Sequence, residues 1–113
     1  MTHFQITIQL PLKYNNGEKI EESKFKETYE EVLDITGGIT INPRPLQGAW
    51  IDPNDGIRYD DETITFSVLI DSEDKITALK VQKILELKQY KEKLKERFNQ
   101  KEIFMVATRC SWL

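Results

Sequence analysis

Two stretches of this 113-residue chain alternate apolar and polar residues. In residues 3–10, Phe4, Ile6, Ile8 and Leu10 fall on one side and Gln5, Thr7 and Gln9 on the other. In residues 63–70, Ile64, Phe66, Val68 and Ile70 oppose Thr63, Thr65 and Ser67. A period of two marks a strand with one buried face. Strands of this kind need cover on one side only, and the chain has to supply it with amphipathic helices.

Residues 22–35 predict the first helix. Ser23 is a suitable N-cap, and Phe25, Tyr29, Val32 and Leu33 fall at i, i+4, i+7 and i+8 on one apolar stripe. Gly37 suits the left-handed position after a helix end. Asp71, Ser72, Glu73 and Asp74 supply a cap and a negative first turn for a second helix over about 74–99. Its stripe is Ile76, Val81, Ile84, Leu87, Leu94 and Phe98, interrupted by Lys91. Residues 102–108, EIFMVAT, predict a last strand, followed by a tail that ends in Trp112 and Leu113.

Between these regular parts lies the stretch from Gly37 to Glu62, with four of the five glycines and three of the four prolines. Residues 39–41 can form a short strand, which Pro43 and Pro45 should end, because proline has no N–H to pair. Residues 47–59 read as a β-hairpin turning at Pro53-Asn54-Asp55-Gly56. The acidic run Asp60-Asp61-Glu62 is expected to interrupt pairing as a bulge or kink.

The order β-α-β-β-α-β predicts a single α+β domain over residues 1–113, a ferredoxin-like sandwich with an added β-hairpin. Its antiparallel sheet would run 4-1-3-2, with both helices on one face. Charge agrees with side-by-side helices. Residues 21–34 carry six acidic and two basic groups, whereas residues 75–101 carry nine basic and three acidic ones.

The block Gly37-Gly38-Ile39-Thr40, then Gly48 and Trp50, then Asp55-Gly56, Tyr59 and Asp61-Glu62 resembles a loose family of small bacterial proteins, cyanobacterial ones among them. The resemblance covers most of the chain and implies the same fold. That family has no assigned activity, so no catalytic residue carries over.

The bulk properties narrow the function classes. A net charge of −3 argues against a general nucleic-acid binder. A lone cysteine, Cys110, cannot form an internal disulfide, and the N-terminus does not read as a secretory signal, so a cytoplasmic setting is expected. No segment approaches the roughly 20 apolar residues of a membrane span. There is no zinc, haem, flavin or nicotinamide signature, so no cofactor is expected. Gly37-Gly38 follows a helix where a phosphate loop would precede one.

The candidate ligand-binding residues are Trp50, Arg58, Tyr59, Asp60 and Asp61. On adjacent strands Trp50 and Tyr59 would form an aromatic wall beside one cation and two carboxylates, able to hold a small polar molecule. The plainer reading is a cross-strand aromatic pair that steadies a glycine- and proline-rich loop.

The oxygen-rich run Asp52, Asn54, Asp55, Asp60, Asp61 and Glu62 invites a calcium reading, but its spacing fails the EF-hand pattern and no metal is expected. His3, the only histidine, lacks a nucleophile placed by any motif. Cys110 reads as a small packing residue.

Lys80, Lys83, Lys88, Lys91, Lys93, Lys95 and Arg97 could grip phosphates. However, the open sheet face shows Gln5, Thr7, Gln9, Thr63, Thr65 and Ser67 in place of base-stacking aromatics, which makes nucleic acid a weak partner. That bare face and the apolar C-terminus suggest a homodimer. The expectation is a non-catalytic small-ligand-binding or assembly module. A small enzyme with its pocket at residues 47–62, using Asp60 or Asp61 as base and Arg58 as anion anchor, is the alternative. A binder of nucleic acid through the basic helix comes third.

Overall fold

The computed structural model describes residues 2–70 and 77–111, with side chains except at residue 2 and residues 77–85. The elements are β1 (Thr2–Pro11), α1 (Glu22–Thr36), β2 (Thr40–Ile51), β3 (Arg58–Ile70), α2 (Thr77–Arg97) and β4 (Phe104–Ser111). The expected cap at residues 71–74, the stripe positions Ile76, Val81 and Ile84, Lys80 and Lys83, and the tail residues Trp112 and Leu113 lie outside the described residues or side chains.

The four strands form one antiparallel sheet in the order β2-β3-β1-β4. The two alternating strands are its central pair, in register from Phe4 opposite Ile70 to Pro11 opposite Thr63. Ile6, Ile8, Leu10, Phe66, Val68 and Ile70 are buried together with Val32 of α1 and Leu87, Tyr90, Leu94 and Phe98 of the second helical segment. Tyr29 meets Phe66 edge to face at 6.4 Å, and Phe25 packs against Phe98 at 5.3 Å. Full burial of one such side chain contributes roughly 1.5–3 kcal/mol, so this layer dominates stability.

Several local expectations change. Glu21, not Ser23, precedes the first helical residue, and it makes no side-chain cap bond. Gly37 ends α1 in the left-handed region, at φ 80°, its N–H bonding the Leu33 carbonyl. Tyr90 completes the buried stripe of α2 beside the position where Lys91 seemed to break it. β4 begins two residues later than predicted and runs on through Arg109 and Cys110, because pairing with β1 extends to Ser111. Ile103, expected inside the strand, is buried just ahead of it.

The largest change concerns the middle of the chain. β2 is one strand from Thr40 to Ile51, and its pairing with β3 shifts register between Asn42 and Leu46. The prolines therefore make an irregularity within the strand, not its end. The acidic run does not interrupt β3: Asp60, Asp61 and Glu62 pair in sequence with Ala49, Gly48 and Gln47. The extra length sits on the proline strand, where two N–H groups are already missing.

No helix among the described residues is long and apolar enough to cross a membrane.

Candidate functional site

β1 stops pairing at Thr63, but the β2–β3 ladder continues to Ile51 opposite Arg58. Residues 46–62 therefore project beyond the end of β1 as a two-stranded arm. The turn at its tip is built by Asp52, which is only 3% exposed. One Asp52 oxygen accepts from the Asn54 N–H at 2.8 Å. The Asp52 carbonyl accepts from the Gly56 N–H at 2.8 Å, and its own N–H donates to the Ile57 carbonyl at 3.0 Å. Gly56 takes φ 71°, which suits a residue without Cβ.

Trp50 and Tyr59 face each other across the arm and stack, with ring centroids 5.3 Å apart and planes 23° apart. Strand alternation puts Asp61, two residues from Tyr59, on the same face of the arm. Arg58 and Asp60 point to the other face, where they pair with each other at 2.9 Å. The five residues singled out in the sequence line two hollows that share the arm as a wall, and Asp61 borders both.

One hollow, about 910 Å³, is lined by Arg58, Tyr59, Asp60 and Asp61 together with Lys13, Tyr14 and neighbours from the connection after β1. It is strongly polar, and Arg58 is already neutralised by Asp60 within it. The other, about 530 Å³, is bounded by Leu46–Trp50, Asp61 and Thr63 of the arm, by Gln9 and Pro11 of β1, and by Gln100, Glu102, Ile103 and Phe104 at the α2–β4 connection. Trp50 and Asp61 are the two predicted residues that reach it.

This second cleft is chemically distinctive. Its lining includes two aromatic rings, Trp50 and Phe104, and two carboxylates, Asp61 and Glu102, but no lysine, arginine or histidine. The carboxylates differ. Lys91 at 2.7 Å and Lys95 at 3.7 Å hold Glu102, and the Lys91 bond leads in keeping its carboxyl below the ordinary range. Burial, and then the neighbouring Asp60 charge, push the Asp61 carboxyl up. Asp61 is the group in the cleft whose ionisation is opposed by its surroundings, and a cation bound there would relieve that penalty.

Phe104, Gln9, Glu102 and Gln100 were not singled out as site residues. Gln9 and Phe104 face each other in the β1–β4 register, so their shared face follows once the strand order is known. The apolar side chains Leu69, Phe104 and Val106, at 40%, 52% and 38% exposure, also make the open face less polar than its glutamines and threonines suggest.

The remaining candidates settle elsewhere. His3 is buried and lies opposite Cys110 in the ladder. Between Asp52 and Asp55, where a bound cation would sit, stands the Lys101 ammonium, 3.2 and 3.5 Å from the two carboxylates. Among the described residues no group of three His, Cys, Asp or Glu side chains converges for a metal.

The basic helix spends much of its charge on neighbours: Lys93 pairs with Glu31, Lys95 with Glu92, and Lys91 with Glu102. Arg97, with its side chain 8% exposed, donates to Thr28, Tyr90 and Glu31 at 2.9–3.0 Å. Acidic α1 and basic α2 are thus joined by Arg97 and Lys93.

No family model and no curated protein matches the chain. Among solved structures it is similar to a phage SAM lyase in complex with S-methyl-5'-thioadenosine, with a TM-score of 0.60 and 12% identity, over 94% of this chain and 80% of that one. At that identity the likeness speaks for the fold alone.

Proposed function

We propose that this chain binds a small, positively charged molecule carrying a flat ring in the cleft between the β2–β3 arm and the α2–β4 connection, with sulfonium nucleosides of the S-adenosylmethionine type as the candidate class. The observation that carries the reading is the lining: two aromatic rings and the Asp61 carboxylate, with no basic side chain among the lining residues and with Glu102 already held by Lys91 and Lys95. An adenine ring can stack on Trp50 or Phe104, and a sulfonium is attracted both to an aromatic face and to Asp61. The S-methyl-5'-thioadenosine named with the phage SAM lyase shares the adenine nucleoside of that class but is an uncharged thioether. Catalysis is the sharper form of this proposal, with Asp61, whose carboxyl burial pushes up, as the acid–base group.

Calorimetric titration with S-adenosylmethionine and with S-methyl-5'-thioadenosine tests the binding. Micromolar to millimolar affinity that is lost in Trp50→Ala supports the site, and equal affinity in wild type and variant removes it. Appearance of S-methyl-5'-thioadenosine during incubation with S-adenosylmethionine distinguishes an enzyme from a binding module.

A second reading, assembly, is favoured by the exposure of every residue of β2 and by Leu69, Phe104 and Val106 on the open face. A homodimer through that face is its concrete form, and light scattering that returns a monomer mass at high concentration removes it. The strand order, read from the other edge as β4-β1-β3-β2, supports a ferredoxin-like sandwich, and the single cysteine supports a cytoplasmic setting.

A further inference from the structure

The arm that forms one wall of the cleft has little of its own to hold it. Beyond Thr63 it is two strands wide, and an isolated two-stranded ribbon is marginal in water. One backbone bond, from the Leu12 N–H to the Glu62 carbonyl at 2.9 Å, ties its base to the chain after β1. At the tip, Lys101 reaches across from the α2–β4 connection. Its ammonium lies 3.2 Å from Asp52 Oδ2, 3.5 Å from Asp55 Oδ2 and 5.7 Å from the Tyr59 ring centre. The neighbours of Lys101 on either side, Gln100 and Glu102, both line the cleft. One side chain therefore spans from one cleft wall to the other.

The contact lands on a fixed point. Asp52 has its other carboxylate oxygen, its carbonyl and its N–H all engaged in the turn. Tyr59, under the ammonium, stacks on Trp50, and its hydroxyl donates to Asp55 at 3.4 Å. Contacts thus run from Lys101 through Tyr59 to Trp50.

We propose that Lys101 is a positioning residue for the cleft: by clamping the tip of the arm to the α2–β4 connection it sets the cleft width and the place of Trp50. The functional meaning of this clamp rests on the ligand-site reading above, but the clamp itself can be tested without a ligand. Lys101 is 59% exposed, so the contact is weak and open to screening by salt. Releasing it frees the arm without unfolding the core, and a ligand that needs Trp50 in place must then order it on binding.

The experiment uses the full chain with Trp112→Phe, so that Trp50 is the sole tryptophan. Acrylamide quenching of Trp50 is compared in that protein and after adding Lys101→Met or Lys101→Arg. The clamp predicts easier quenching in Lys101→Met, restoration in Lys101→Arg, and the same loosening of the Lys101 protein in molar salt. Affinity for S-adenosylmethionine should fall about fivefold in Lys101→Met, the cost of re-ordering one or two side chains on binding.

Unchanged quenching in Lys101→Met overturns the proposal. So does a large loss of thermal stability in that variant, which would make Lys101 a general support of the fold. Easier quenching in a protein that binds no S-adenosylmethionine sustains the clamp while removing the sulfonium reading.

Discussion

The inner and outer halves of the long β2–β3 ladder are held by different forces. Around Phe66 and Val68, β3 is flanked by β1 and its inward-facing side chains are buried with those of the helices. Around Trp50 and Asp61 it has one neighbour, β2, which is exposed throughout. The inner half is fixed by burial, which has no direction and is not screened by salt. The outer half is fixed by an aromatic stack, a turn built on Asp52 and the Lys101 ion pairs, which are directional and individually weak. The lesson is that stability and the candidate site are separated along one strand. Changes at the inner end should unfold the protein, and changes at the outer end should alter binding and leave the fold standing.

The strongest way to break this contrast is at Phe66, which is 1% exposed. Phe66→Ala should cost about 3–5 kcal/mol in urea unfolding, from lost transfer free energy and the cavity left behind. A cost below about 1 kcal/mol would mean that the core relaxes freely and that the inner half is no firmer than the outer.

Next comes Arg97, which joins the helices beneath the inner half. Arg97→Met leaves Thr28, Tyr90 and Glu31 without their shared donor and should cost about 2 kcal/mol, discounted because Glu31 is partly exposed. Burial first, and then the Glu31 contact, push the Tyr90 hydroxyl up to about 12, so this side chain remains neutral throughout the test. A melting temperature unchanged by Arg97→Met would show that burial alone holds the inner half.

The smallest expected effect lies in the outer half and has the opposite sign. The folded-state pKa of Asp61 is raised by burial and by Asp60, so the folded protein holds that proton more readily than the unfolded chain. Stability therefore falls as pH rises from the unfolded value, near ~3.9, through the raised folded value. Asp61→Asn should stabilise the protein at neutral pH by less than about 1 kcal/mol, and the gain should vanish in acid below the unfolded value. The same variant should weaken binding of S-adenosylmethionine. A residue whose removal stabilises the fold while impairing the site would sharpen the separation of the two halves; a destabilised Asp61→Asn at neutral pH would contradict it.

Much of the inner half was legible in the residues. Alternation at 3–10 and 63–70, broken only at Leu69, specified two one-sided strands, because a register slip of a single residue would turn the buried apolar side chains to water. Of the α1 stripe Phe25, Tyr29, Val32 and Leu33, all but Leu33 face the core, with Ile35 packed there as well, and Gly37 marked the helix end. In the outer half the Trp50–Tyr59 pairing was legible from the turn at 53–56, since a hairpin sets its own register. The location of the irregularity was not. Both the prolines and the acidic run are poor ladder formers, and local propensity could not say which strand would carry the extra residues.

Local pattern thus determined the two central strands, the helices and the aromatic pair, because each depends on residues a few positions apart. Tertiary structure alone decided that Asp61 and Trp50 would share a cleft with Gln9 and Phe104, while Arg58 and Asp60 turned away. It also brought Lys101 to Asp52, 49 residues distant in the chain. Such meetings depend on how far an arm overhangs a neighbouring strand and on where a helix delivers the chain. Those are set by the packing of the whole layer, for which no short stretch of sequence carries a signal.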